Sequence, residues 1–435
     1  MSNELSSLVN LFGIIVLPYV IWRFAGLKRI LPCAVVQILL GIAFGPSVLG
    51  KVAPQLHAAL LPPVLEIQIG GVATLGVLFF AFTTGLHVDL SHYRGRGRDF
   101  VAVSVGSIVA PFALGASAGW WVYASYPGAV GQVDARWFVL SVAIALSVTA
   151  LPVLSAVLRE LGLLPLALGQ WSVGLAAVND AAMWVMVSIL LANARPGAVN
   201  LSPALTAVCA GIYLAVMYFL VRPAFVAWSR CRPSSGFGDT TLVGVIALAI
   251  LSAVSTQLIG LHYLLGAFVA GTVLSAPTRA AVLERIEPAM VFLLTPFFFI
   301  ATGLKVSVDF SSASFLQICG VTTLAAIFGK LLGTALPARM TGISWRHCLA
   351  LGSLMQTKGM MELAVLSILS DAGLVTGQIF SALILMALIT TALAMPLTRL
   401  FLPSEERVGR ENSDSGEPRF TAPMPTLGTT AASRH

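Results

Sequence analysis

The chain has 435 residues, 57% of them hydrophobic and only 10% charged, against roughly a quarter charged in an ordinary soluble domain. That balance excludes a water-soluble globule. The formal charge of +7 reports lysine and arginine gathered on one side of a membrane and gives no reason to expect a nucleic-acid partner.

The mean hydropathy of +0.92 comes from apolar blocks about 20 residues long, enough to carry a helix across a ~30 Å hydrocarbon layer. The alternating ten-residue pattern of a β-barrel is absent, so an all-α polytopic fold in the lipid bilayer is expected. Proline, glycine and charge clusters divide the chain into thirteen expected spans, the first over 7–22. Glu4 and the lack of a basic residue before it argue against a cleaved leader. The others follow at 31–49, 64–86, 99–125, 136–159, 165–193, 201–229, 240–258, 261–278, 288–304, 313–337, 346–369 and 376–400. Residues 1–402 read as one membrane domain and 403–435, rich in Ser, Glu, Arg, Pro and Thr, as a disordered tail.

With the carboxyl terminus in the cytoplasm, the inner connections carry Arg23, Lys28, Arg29, Arg94, Arg96, Arg98, Arg159, Arg222, Arg230, Arg232, Arg279, Arg285, Arg339 and Arg346. The outer ones carry Lys51, Arg136, Arg195 and Lys305. The asymmetry predicts an external amino terminus and a cytoplasmic carboxyl terminus, in the plasma membrane. The five cysteines have no metal-like spacing and read as packing residues. No phosphate-cradling loop, GxSxG or HExxH occurs, so neither an enzyme nor a cofactor is expected.

An internal duplication is visible. Gln37-Ile-Leu-Leu-Gly-Ile-Ala-Phe-Gly-Pro-Ser-Val-Leu49 echoes His262-Tyr-Leu-Leu-Gly-Ala-Phe-Val-Ala-Gly-Thr-Val-Leu274. Phe79-Phe-Ala-Phe-Thr-Thr-Gly-Leu86 echoes Phe297-Phe-Phe-Ile-Ala-Thr-Gly-Leu304. Both pairs lie seven spans apart, and an odd shift inverts the second copy in the membrane. Repeat one is expected over about 7–193, a linking span over 201–229 and repeat two over 240–400. By the same shift the fifth span matches the twelfth. Pro152 removes a backbone donor in the fifth and Gly359 is the weak point of the twelfth. Two matched, breakable helices point to a midplane ion site.

Four full charges fall within the expected hydrocarbon zone: Asp180, Lys330, Lys358 and Glu362. Each costs ~2.5–3.5 kcal/mol at the centre of an inserting helix, which argues for a purpose. Asp180 is a deep carboxylate among small residues. It can be neutralised by a proton or by a small cation such as Na⁺ or K⁺ but not comfortably by both, and that exclusion is exchange chemistry. Asn179 can add an amide oxygen, and Thr149 and Ser147, beside Pro152, can add hydroxyl or carbonyl oxygens. Lys330 needs a buried counter-charge, for which Asp180 and Glu362 are the candidates, or a water path, while Lys358 and Glu362 stand at i,i+4. All three read as charge-balancing groups of the core.

These motifs in order, Ser147-Val-Thr-Ala-Leu-Pro-Val-Leu154, Arg159-Glu-Leu-Gly-Leu-Leu164, Asn179-Asp180, Leu264-Leu-Gly-Ala-Phe-Val-Ala-Gly271, Phe297 to Leu304 and Lys358-Gly-Met-Met-Glu-Leu363, resemble the monovalent cation/proton antiporters, especially the Kef-type and plant cation/proton exchanger branch. The resemblance implies two inverted repeats, usually in a homodimer, and a core domain that moves against a dimerisation domain. It also implies that Asp180 binds the ion or proton, and the Asn-Asp pair suggests one-for-one, electroneutral exchange. Two departures stand out: Lys358 takes a position usually held by arginine, and the short tail is no nucleotide-sensing domain, so gating of that kind is not expected. A rival reading is a channel or a carrier of an organic solute on the same scaffold, with Asp180 only bracing Lys330.

Overall fold

The computed structural model describes residues 3–26, 33–46, 48–87, 97–164, 166–194, 203–230, 238–306 and 312–402, and every regular element among them is helical. In chain order these are α1 (Asn3–Phe24), α2 (Cys33–Phe44), α3 (Pro63–Leu86), α4 (Gly97–Ser125), α5a (Ala135–Ser147), α5b (Leu151–Leu161), α6 (Ala167–Ala194) and α7 (203–230). Then come α8 (Asp239–Leu258), α9 (Tyr263–Thr272), α10 (Ala276–Leu304), α11 (Ala313–Met340), α12a (Trp345–Leu354), α12b (Met360–Asp371) and α13 (Gly377–Phe401). Single turns such as Leu49–Val52 and Pro127–Val130 fill the connections.

Among the described residues nine helices are long and apolar enough to cross a membrane on their own, fewer than the thirteen expected spans. The difference is physical. The apolar parts of α1 and α9 are short, and the fifth and twelfth spans are each cut into two half-helices. The ninth span, expected to reach 278, stops at Thr272, and α10 starts at Ala276, ahead of the expected 288. Ser275 occupies its N-cap and Pro277 lies in the first turn, where a missing N–H costs nothing. The expected tail, 403–435, lies outside the described residues.

The helices sort into two bundles. α4, α5a, α5b, α6, α11, α12a, α12b and α13 pack on one another, and so do α1, α2, α3, α8, α9 and α10, while contacts between the two sets are sparse. Glycines set the closest backbone-to-backbone approaches, inside a bundle. A Cβ on Gly106 would lie 2.5 Å from the Gly333 carbonyl, and one on Gly329 2.6 Å from Pro111 Cα, so α4 and α11 run backbone against backbone. Gly85 and Gly271 do the same for α3 and α9.

Exposed apolar side chains recur every fourth residue as Val101, Val105 and Val109 on α4 and as Leu324, Phe328, Leu332 and Leu336 on α11. Four-residue spacing puts them on one helix face, an arrangement suited to lipid contact. The chain is a multi-pass membrane protein. α7 leaves most of its surface uncovered.

Candidate functional site

The first bundle is organised where its two interrupted helices cross. After α5a the backbone is extended, at Val148 (ψ 147°) and Ala150 (ψ 107°). The helix restarts at Leu151 with Pro152 in its first turn, so the proline begins a half-helix where the sequence suggested that it breaks one from within. α5b then ends in a Schellman arrangement at left-handed Gly162 (φ 67°), whose N–H donates to the Arg159 carbonyl while Leu163 N–H donates to Leu158.

The second interruption, residues 355–359, is fastened to the first. Ala150 N–H donates to the Thr357 carbonyl at 2.9 Å and the Thr149 hydroxyl to the Met355 carbonyl at 2.8 Å. Gly359 stands at the N-cap of α12b against Ala150 and Val153, and a side chain there would collide with Val153. Thr391 on α13 closes the joint: its hydroxyl donates to the Lys358 carbonyl (2.8 Å) and accepts from the Lys358 N–H (2.9 Å).

A crossing of this kind leaves carbonyls unpaired at the end of one half-helix and N–H groups unpaired at the start of the next. Lys358 answers the first need. Its Nζ donates to the carbonyls of Ala145 (3.0 Å) and Leu146 (3.3 Å), in the last turn of α5a, and lies 3.0 Å from Glu362 Oε2. Glu362 itself sits in the first turn of α12b, where a negative charge is favoured. Both side chains of this pair are completely buried.

Asp180 presents the opposite condition. It lies on uninterrupted α6, fully buried, with neither carboxylate oxygen hydrogen-bonded. The Leu151 N–H, at the amino end of α5b, is directed at the carboxylate, outside strict hydrogen-bond geometry, and the Lys330 ammonium acts on it through space. Lys330 is within ion-pair reach of neither Asp180 nor Glu362, the two candidate counter-charges. Its Nζ donates to Asn179 Oδ1 (2.8 Å) and to the Ser107 carbonyl (3.0 Å). The close α4–α11 approach at Gly106 and Gly333 brings the ammonium to the α4 backbone.

Asn179 is likewise spent on structure, its Nδ2 donating to Ser107 Oγ (2.9 Å) and to the Leu175 carbonyl (2.8 Å). Ser147 donates back to the Ile144 carbonyl at 2.9 Å. Of the four expected ligands, therefore, only Asp180 offers a side chain with no protein partner. The hydroxyl oxygens of Thr149 and Ser147 keep acceptor capacity.

A family model for the transmembrane sodium/hydrogen exchanger matches residues 11–402. The chain belongs to that family. It is 31% identical over 390 residues to Cation/H(+) antiporter 18 of Arabidopsis thaliana, a match covering 87% of this chain and 47% of the relative. It is 28% identical to K(+)/H(+) antiporter 1 of Saccharomyces cerevisiae, over 88% of this chain and 45% of that one. It is 29% identical to the Na(+)/H(+) antiporter NhaS4 of Synechocystis, over 86% and 92%. The chain thus spans about half the length of the plant and yeast relatives. Its fold is that of the sodium proton antiporter MjNhaP1 from Methanocaldococcus jannaschii, with a TM-score of 0.63 at 15% identity over 92% of this chain and 99% of that one.

Within this exchanger-family chain, three residues of the site escaped the sequence reading. Ser107 joins α4 to Asn179 and Lys330; its sole sequence signal is a polar residue among the small ones of Ser104-Val-Gly-Ser107. Thr391 is one of two adjacent threonines in an apolar helix. Gln356 stands two residues before Lys358, and nothing in the sequence marks its amide as part of the site.

Proposed function

We propose that the protein is a secondary antiporter that exchanges a monovalent cation, Na⁺ or K⁺, for a proton by alternating access, one for one, with Asp180 as the shared carrier. The observation that carries this reading is the contrast in partners. Lys358 and Glu362 form an ion pair at 3.0 Å, Lys330 is held by neutral oxygens, and Asp180, equally buried, has no cationic side chain within ion-pair distance among the described residues. A bare carboxylate crosses the barrier at a cost of ~2.5–3.5 kcal/mol or more, so the proton-loaded and cation-loaded forms cross readily and the two fluxes are coupled. The relatives, named as cation/H⁺, K⁺/H⁺ and Na⁺/H⁺ antiporters, support the same substrates.

The division into two bundles, glycine-locked inside and sparsely joined, supports a core that moves against the rest. The paired interruptions and the seven-span echoes support two inverted repeats. The lysine and arginine asymmetry supports an external amino terminus and a cytoplasmic carboxyl terminus in a plasma membrane; the family resemblance supports a homodimer. The organic-solute reading needs Asp180 to brace Lys330, whereas that ammonium donates elsewhere.

The test is a pH-gradient assay in proteoliposomes with Na⁺, K⁺ and Li⁺ in turn. Asp180→Asn is expected to abolish cation-dependent collapse of the gradient while the protein still assembles. Retained exchange in that variant, or no response of the unaltered protein to any alkali cation, would overturn the reading.

A further inference from the structure

We propose that the side-chain amide of Gln356 is a ligand of the transported alkali cation, its oxygen binding together with Asp180 and setting the preference among Na⁺, K⁺ and Li⁺. This rests on the antiporter reading and extends it to a residue outside the expected ligand set.

Position comes first. Gln356 lies in the turn that leaves α12a ahead of α12b, and the residues on either side of it are tied to the opposing interruption, Met355 to Thr149 and Thr357 to Ala150. The next residue, Leu151, supplies the N–H directed at the Asp180 carboxylate. Gln356 and Asp180 are therefore seated against the same short segment, 149–151, from two different helices.

Satisfaction comes second. Gln356 is 1% exposed, and neither Oε1 nor Nε2 has a hydrogen-bond partner. Its surroundings are otherwise complete: its own N–H donates to the Ser353 carbonyl, the Thr357 hydroxyl to Leu354, and the Lys358 backbone is clipped by Thr391. Buried amides in native proteins are almost always hydrogen-bonded to protein or ordered water, and leaving one bare is costly. A group retained under that penalty has an occupant to receive.

Chemistry comes third. Hard cations take oxygen ligands, and the amide oxygen and the Asp180 carboxylate are both unengaged. The ammonium groups of Lys330 and Lys358 already donate to other oxygens and do not fill the place. An amide also adds an oxygen dipole without adding charge. A site holding Asp180 and one monovalent cation then remains neutral, which the low-dielectric crossing demands. A second acid would leave the loaded carrier charged.

The experiment compares the unaltered protein with Gln356→Leu and Gln356→Asn in proteoliposomes, reading the half-saturating concentration and maximal rate for Na⁺, K⁺ and Li⁺. Removing the amide is expected to raise the half-saturating concentration of the preferred ion about tenfold or more and to flatten the order of preference. The shorter amide of Gln356→Asn is expected to keep exchange with an altered order. A structural role alone would change the amount of folded protein but not the preference, so unchanged half-saturation and order in Gln356→Leu would overturn the proposal. Should that variant not assemble, the preference ratio in Gln356→Asn decides: a shifted ratio supports the ligand role and an unchanged ratio overturns it. Absence of exchange in the unaltered protein removes the antiporter reading and this inference together, whereas normal exchange with an indifferent Gln356 removes this inference alone.

Discussion

Glu362 and Asp180 are both fully buried acids of the same helical bundle, held in opposite ways. Glu362 lies at the start of a half-helix with an ammonium 3.0 Å away, and that ammonium also binds the carbonyls at the end of α5a. Asp180 lies on a continuous helix, and the nearest lysine is engaged by an asparagine and a backbone carbonyl. The first arrangement spends its charges on keeping two broken helices joined. The second keeps a charge available to something that comes and goes. A sequence count of buried charges, two positive and two negative, suggests two ion pairs. The geometry forms one, and the unformed pair is where exchange chemistry has room.

Removing single partners breaks or sharpens this contrast. The largest effect is expected for Lys358→Met, which strands Glu362 and the α5a carbonyls in a dry interior. A loss of about 3–5 kcal/mol follows from breaking a buried pair on one side, read as a lowered unfolding midpoint in detergent. The double variant Lys358→Met/Glu362→Met is expected to recover much of it; a single variant as stable as the unaltered protein would dissolve the distinction between the two acids.

Lys330→Met removes an ammonium from two neutral acceptors and should cost less, about 1.5–3 kcal/mol, the scale of a hydrogen bond to a charged group. A loss as large as that of Lys358→Met would mean that Lys330 is paired with Asp180 in the working protein. Thr391→Val deprives the Lys358 backbone of both partners and is expected to cost about 1–2 kcal/mol, with Thr391→Ser close to unaltered because the hydroxyl is kept.

The smallest effect lies at the exposed start of α5a. There the Arg136 side chain and N–H donate to the N-cap Asp134, holding its carboxyl below the usual carboxylate range. A depressed folded pKa stabilises above the unfolded value of about 3.9 and is lost as pH falls through the folded one. Asp134→Ala should therefore differ slightly from the unaltered protein at neutral pH and not at all in strong acid. Exchange rates should not change.

Much of this arrangement was legible in the sequence, for stated physical reasons. Apolar block length exposed the helices, and Pro152 and Gly359 marked both interruptions because each is poor in a helix interior. The deep charges stood out because any other charge in their spans lies at a span end, as Arg346 does. The partners were not legible. Lys330 reaches the Ser107 carbonyl because glycines on α4 and α11 let two backbones touch, a relation between residues more than two hundred positions apart. The early start of α10 was hidden because its first turns carry Arg279, Glu284 and Arg285, which read as a loop although Ser275 and Pro277 are helix-start signals.

The central claim, that one carboxylate takes either guest, is tested most directly by calorimetric titration of the purified protein with its preferred alkali cation, in buffers of different ionisation enthalpy. At a pH where the carrier holds its proton, the account predicts release approaching one proton per cation bound, and neither binding nor release in Asp180→Asn. Cation binding without proton release, or release that survives in Asp180→Asn, would contradict it.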